Sequence, residues 1–493
     1  MRQALHIFKK DVRYLRYEIA LVLLIASAFA AMHARASHGQ SNDTWWAQLA
    51  LVVAAAFLIG RLILAEAIPG DRQFWITRPY RWQSLLGAKL LFILTFLNLP
   101  VLMAQVFIVT IDGFPLASSL PGLIWSQVLL FAFAALPFAA IAALNSSMTP
   151  FIFTQITILA VVFGPWEVRQ HLYVAQLGGV EWVRDSIAAV ALAAVVILVI
   201  LIQYKSRRTL FSRWVALGGI ALGALAFTAM PPQFALAVQS GFSKQPSLGS
   251  SIQATFGRVP ENQFSSGQVP GKVAMVFPIL LRGLPEGTDV QGDVFSISLQ
   301  SPDVPASQVN AIGDCANFSR TPMSEGSSII HVNCFIDTRF FGKQRDRPMT
   351  LHASLYFTLF GNAQSRSMPL SSEFLNAPGG LQCTAESGGP RADSIVKCRS
   401  AFRWPARLVY ERRGDSDENT APEAVSYSPF PADLSIDPVE TYQSIVSVGG
   451  PRPRPTIHNV TVIVEEPLGH LRRDVVAHDV QLDDFADPSI RRR

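Results

Sequence analysis

The sequence predicts an α-helical polytopic membrane domain of about seven transmembrane helices, followed by an extracytoplasmic all-β, sandwich-like domain. Apolar runs long enough to cross a bilayer crowd into residues 1–232. Short strand-like runs divided by Gly, Pro, Ser and Asp fill residues 233–493, and all four cysteines lie there. Half of the 493 residues are hydrophobic and only 16% are charged. That balance is too apolar for an average soluble chain and too polar for one buried in lipid throughout.

The apolar segments read as Ile19–Ala34, Trp45–Ala65, Leu85–Ile111, Pro121–Leu144, Phe151–Pro165, Ser186–Tyr204 and Trp214–Met230. A helix needs roughly 20 apolar residues to span hydrocarbon, so the first and fifth are short. The first resembles a signal peptide in length, but six further spans follow it, which favours an uncleaved helix.

Charge sets the expected orientation. Residues 1–232 hold 17 Lys+Arg against 9 Asp+Glu, and residues 233–493 hold 24 against 27. With the N-terminus inside, 14 of those 17 cations fall in cytoplasmic segments, and only Arg35, Arg169 and Arg184 fall outside. This is a strong positive-inside bias. The cations sit at helix ends, not along a groove-sized stripe, so no nucleic-acid partner is expected. Trp45, Trp46, Trp125, Trp166, Trp182 and Trp214 fall at span ends, where indole prefers the interface.

An odd number of spans places residues 233–493 outside the cytoplasm, and the cysteines test that separately. Cys383 and Cys398 are centred on Gly388-Gly389-Pro390, and Cys315 and Cys334 flank a Pro322–Gly326 turn signal. Residues equidistant from a hairpin turn face each other and can approach disulfide geometry. Four cysteines permit three pairings; the local one, 315–334 with 383–398, is favoured over four buried thiols in an oxidising compartment.

Leu5, Phe8, Val12 and Leu15 recur at helical spacing, with Lys9, Lys10, Arg13 and Arg16 opposite. An amphipathic helix lying on the inner leaflet and a cytoplasmic extension of the first span both fit. Between the second and third spans lies EAIPGDRQFWITRPYRWQSLLGAK, residues 66–89. Pro69-Gly70 stops one helix, and the next begins near Gln83. Asp71, Arg72, Phe74, Trp75, Thr77, Arg78, Pro79, Leu85, Leu86, Ala88, Lys89, Leu90 and Leu91 match a D-R-x-F-W-x-T-R-P … L-L-x-A-K-L-L run. On these residues the chain resembles the ABC-2 type permeases, over about residues 1–205.

The resemblance implies an amphipathic lead-in helix and a short cytoplasmic coupling helix carrying Arg72, Phe74, Trp75, Thr77, Arg78 and Pro79. It implies small outer helices over Trp166–Asp185 and a homo- or heterodimer of permease subunits in a plasma (bacterial inner) membrane. It also implies a separate ATP-binding subunit, since the chain has no G-x-x-x-x-G-K-[ST] loop to cradle phosphates. Simple anchoring of a helix pair at the inner headgroups is the other reading of the Arg78-Pro79 loop. A seventh span and the large C-terminal domain depart from the family pattern.

No Asp, Glu, Lys or His is expected mid-bilayer; Arg61, Glu66, Asp112 and Asp185 lie near span ends, where snorkelling suffices. Ion-coupled carriers need buried ionisable groups, so a secondary transporter is disfavoured. Asn98, Gln105, Gln127, Thr154 and Gln155 read as interhelical hydrogen-bonding groups before a substrate path. Pro100 and Pro137 are expected to kink their spans.

In the second half, Val273–Leu281, Val294–Leu299, Ser328–Ile336, Leu351–Leu359, Ala401–Tyr410 and Val460–Val464 are strand candidates. They form one sandwich or two, with Ala377–Gly380 as a candidate seam. Arg413–Ala421 reads as a solvated loop and Gly449–Pro455 as a stiff linker. His331, His352, His458, His470 and His478 lack zinc-ligand spacing, and no G-x-S-x-G or Cys-x-x-Cys occurs. Neither a metal, a cofactor nor an enzyme activity is expected. Two functions compete: an exporter permease subunit, and a membrane-anchored binding or sensory protein.

Overall fold

The computed structural model describes residues 2–36, 44–65, 81–163, 181–230, 232–241, 251–257, 271–300, 310–311, 314–324, 327–369, 371–386, 394–401, 407–414, 423–424, 436–446 and 457–486. Its first half is helical: α1 (Arg2–Tyr14), α2 (Arg16–Ala36), α3 (Thr44–Leu64), α4 (Trp82–Ile111), α5 (Leu116–Leu144), α6 (Met148–Phe163), α7 (Glu181–Ser206), α8 (Thr209–Ala229) and α9 (Pro232–Gly241). Five of these, α2, α3, α4, α5 and α7, are long and apolar enough to cross a membrane. The apolar runs of α6 and α8 are shorter, Met148–Ile158 and Thr209–Gly223.

The helices alternate between two ends of one bundle. At one end Arg61 of α3 meets Glu18 of α2 at 3.3 Å, and Arg213 of α8 donates to the Leu144 carbonyl at 3.0 Å. At the other, His33 of α2 meets Asp112 at the close of α4. Helix α8 turns back along α7 through Arg207, whose φ of 54° makes the two-residue reversal possible. Gly219 lets the two axes close up, because a Cβ there would collide with Val195. Met230 finishes beside Val183 and Ile187, near the other end of α7.

Helices α4 and α5 each contain one π-turn, Leu94–Asn98 and Phe131–Ala135. Pro100 and Pro137 follow within two residues of these turns. A proline lacks the N–H and crowds the preceding turn, and a wider turn absorbs that clash. The expected kinks therefore take this form.

Helix α1 lies against α4, with Phe8 stacked on Phe96 at 5.9 Å between ring centroids. Its buried face is Ile7, Asp11 and Leu15, while Leu5 is exposed. Phe8, Val12 and Leu15 of the expected stripe do pack into the bundle, joined by Ile7 and Asp11, while Leu5 does not. Asp11 survives there because Lys89 Nζ meets its Oδ2 at 2.9 Å. Both side chains are buried, so Lys89 does not snorkel.

The second half is β-rich: β1 (Gln253–Phe256), β2 (Lys272–Arg282), β3 (Asp289–Gln300), β4 (Asn310–Ala311), β5 (Asp314–Ser324), β6 (Ser327–Asp337), helix α10 (Thr338–Gln344), β7 (Met349–Pro369), β8 (Ser371–Asn376), β9 (Gln382–Glu386), β10 (Ser394–Ala401), β11 (Arg407–Gly414), β12 (Glu423–Ala424), β13 (Val439–Val446) and β14 (Ile457–Val480). Three sheets have the orders β1-β2-β6-β5, β13-β10-β9-β8 and β12-β11-β14-β7-β3-β4. The last is shared by two cores. Met349, Leu351, Ala353, Leu355, Phe357 and Leu359 of β7 alternate into a core with β2 and β6. Farther along, Met368 of β7 and Val460, Val462 and Val464 of β14 enter a second core with Cys383 and Cys398.

Two sandwiches are therefore joined through β7 and β14, of 21 and 24 residues. The changeover lies where register shifts between Val464 and Glu466 and between Pro467 and Gly469, opposite Gly361. A Cβ on Gly361 would press into Leu468. Pro378–Gly380, by contrast, is a short 3-10 turn between β8 and β9. The single strand expected over Ala401–Tyr410 is two: Ala401 closes β10 and Arg407 opens β11, in different sheets.

Cys383 and Cys398 form a disulfide and are register partners across β9 and β10. Cys315 and Cys334 are likewise register partners across β5 and β6. The Cys334 sulfur is disulfide-bonded, whereas the Cys315 side chain lies outside the described ones.

A buried histidine, His331, and a half-buried one, His470, give the β-rich half a pH dependence. Burial pushes the His470 imidazole down to about 4, where it shares a 3.0 Å hydrogen bond with Thr358, and burial lowers His331 as well. As pH falls from about 6.5 to 4, the unfolded chain takes up a proton at His470 that the folded chain refuses. Stability is expected to drop across that window by about 3 kcal/mol at most. Thermal melts of the full chain against pH would check this, and His470→Gln should flatten the curve.

Candidate functional site

The two halves meet where the chain just before β13 enters the helix bundle. Ile436 lies among Leu51, Val52 and Ala55 of α3, Leu97 and Val101 of α4, and Leu130, Ala134 and Phe138 of α5. Val101 is ten residues from the end of α4, so the contact lies about 15 Å down the helix at 1.5 Å per residue. Leu51, Val52 and Ala55 lie seven to eleven residues from Thr44 of α3, which gives about 10–16 Å by the same rise. Depth measured along two helices agrees.

An amide relay receives the segment. Asn98 donates to the Gln127 side-chain oxygen at 3.2 Å, Gln127 donates to Gln105 Oε1 at 2.8 Å, and Gln105 donates to the Ile436 carbonyl at 2.9 Å. Ser126 adds a second donor to Gln105 Oε1 at 3.1 Å. Aligned amide dipoles in a low-dielectric interior reinforce each other. The relay fits the expectation of interhelical bonding for Asn98, Gln105 and Gln127, and it extends to a carbonyl from the β-rich half. Thr154 instead bonds back to its own helix, at the Pro150 carbonyl.

Charged groups ring the entry. His33 Nε2 lies 3.0 Å from Asp112 Oδ2, and His33 Nδ1 lies 3.2 Å from Asp437 Oδ2. Arg399 of β10 reaches Asp112 Oδ1 at 3.9 Å and stacks over Phe374 at 3.7 Å. Only a doubly protonated ring can serve a carboxylate at each nitrogen, and that state balances two cations against two anions. The other oxygen of Asp437 accepts from the Val439 N–H at 3.1 Å, which folds the short segment. Asp112, expected to snorkel, is instead buried and paired, its side chain 2% exposed. A carboxylate can remain there because His33 and Arg399 supply the compensating charge.

Ala401, Ile436 and Val439 belong to the same apolar cluster as the helices. Ala401 and Val439 are also register partners across β10 and β13. One end of a β-sheet is thus built into the bundle.

The residues expected to couple to an ATPase, Arg72, Phe74, Trp75, Thr77, Arg78 and Pro79, lie outside the described residues. So do Gly449–Pro455 and most of Trp166–Asp185. Lys89, the last residue of the 66–89 stretch, is a partner of Asp11. Among the described residues, no cluster of His, Cys, Asp and Glu could hold a metal ion.

Sequence reasoning missed His33, Asp437, Arg399 and Ile436. Histidine near a span end and an Asp-Pro pair in a loop are both ordinary, and the partners are far apart in the chain. The detectable signal was Asp11, an acid in line with Ile7 and Leu15 on a helix face.

Fold and contacts define a class: a bundle with five helices long and apolar enough to cross a membrane, and a disulfide-containing β-rich region docked into one end. No protein-family model matches the sequence, and no curated protein matches it.

Proposed function

We propose that the chain is the membrane-spanning permease subunit of an ATP-driven transporter, working with a separate ATPase through residues 66–89. In this reading seven helices cross the bilayer, the N-terminus is cytoplasmic, and the β-rich half lies outside. The observation that carries it is the buried Asp11–Lys89 pair. It clamps α1 to the helix that emerges directly from the 66–80 loop, at the end of the bundle away from the β-rich half. A push on that loop would move α1 and α4 together. The disulfide fits an oxidising compartment for the other end.

A membrane-anchored binding protein needs only a tether between its halves. Insertion of Ile436 deep among three helices goes beyond a tether and favours a working link between the bundle and the β-rich half.

The test is purification from native membranes. An ATPase subunit should co-purify, and Arg78→Glu should reduce its recovery about ten-fold, as loss of a central interface cation does. Absence of any such partner, with no effect of the charge reversal, would leave the anchored-protein reading in its place.

A further inference from the structure

We infer that the Ile436–Val439 segment is a displaceable plug that closes the outer mouth of the helix bundle, latched by the His33–Asp437 contact. What the plug closes off rests on the permease reading above; whether it is seated does not.

Irregular backbone at bilayer depth is tolerated only where protein satisfies its polar groups. The Ile436 carbonyl meets that condition through Gln105, the last member of the amide relay. A hydrocarbon core is about 30 Å thick, so a segment roughly 15 Å down a helix reaches its middle. The fit is close: the space left beside Ile436 is about 10 Å³, which is marginal for one water.

The setting also favours movement. Both π-turns border the site, since Leu97 and Ala134 belong to them and line the Ile436 pocket. Such turns mark places where a helix can shift. The contacts between His33 and Asp437 and between Asp112 and Arg399 both hold the same sheet end. Val439 and Ala401 are paired within that sheet, so one lift of its end would break both contacts and draw Ile436 out. Withdrawal would leave Asn98, Gln105, Ser126 and Gln127 lining a gap between α3, α4 and α5.

The experiment places a cysteine at Val101, beneath the plug, in the full chain in membranes. Among the described residues no cysteine is free, so background labelling is low. A membrane-impermeant maleimide applied from the β side should leave Val101→Cys unlabelled. Adding Asp437→Lys should raise labelling about ten-fold, whereas Asp437→Glu, which keeps the carboxylate facing His33, should retain protection. Ile436→Gly should expose the cysteine without touching the latch. Equal labelling in every variant overturns the plug. Protection that survives Asp437→Lys, or labelling as high in Asp437→Glu as in Asp437→Lys, overturns the latch. ATPase co-purification is scored separately in the same membranes, so a seated plug without an ATPase partner counts against the permease reading alone.

Discussion

Lys89→Met is expected to destabilise the bundle by about 3–5 kcal/mol, the largest effect of any single substitution considered. The reason is the charge left behind. Lys89 and Asp11 are 1% and 4% exposed, and the Nζ–Oδ2 distance is 2.9 Å. Removing the ammonium takes away the buried cation that Asp11 meets, on a helix face it shares with the buried Ile7 and Leu15. The pair is not itself a large source of stability, because desolvation offsets much of its attraction. Asp11→Leu combined with Lys89→Met should therefore recover most of the loss. Melting temperatures of the purified chain in detergent would separate the cases. A double variant as weak as the single one would mean that the pair does more than neutralise buried charge. Detachment of α1, read by protease sensitivity near Tyr14, should follow the same order.

Removing the Cys383–Cys398 bond should cost about 3 kcal/mol, the loop-closure value for a short loop, with the sequence separation here being 15. The effect should be local at first. Both sulfurs lie in the second core with Val396, Val460, Val462 and Val464, and β10 carries Arg399 and Ala401 to the bundle. Cys383→Ser with Cys398→Ser should thus lower the melting temperature and also weaken protection of the Ile436 site. Peptide mapping without reductant would check the pairing and should recover a 315–334 link as well. An unchanged melting temperature would show that the β9–β10 hairpin is held by its ladder alone.

Five helices of span length were legible because hydropathy over about 20 residues is a strong signal, but the apolar runs of α6 and α8, counted among the seven expected spans, are shorter than that. On α1 the stripe was legible at Phe8, Val12 and Leu15 but the burial of Asp11 was not, because its partner Lys89 lies 78 positions away. Among the strands, β2, β6 and the first part of β7 were readable from alternation. The full lengths of β7 and β14 were not. Gly361-Asn362 and Pro467-Gly469 look like turns, yet they are register shifts within continuous strands. The Ala401–Tyr410 run failed for the opposite reason: an apolar stretch there bridges two sheets.

The candidate site was the least legible part. Gln105 and Gln127 announced a polar contact between helices, but nothing in the sequence tied them to Ile436, 331 positions away from Gln105. His33, Asp112, Arg399 and Asp437 are unremarkable residues individually. Their chemistry exists only once the fold sets one sheet end on the bundle.

The central claim is that the β-rich half and the Arg78 loop lie on opposite sides of a bilayer. Limited proteolysis of intact cells, with the outer envelope permeabilised where there is one, tests it directly with tags on both segments. An impermeant protease should digest the β-rich half and spare the Arg78 loop until the membrane is broken. Cleavage of the Arg78 loop in intact cells, with the β-rich half protected, would contradict the account.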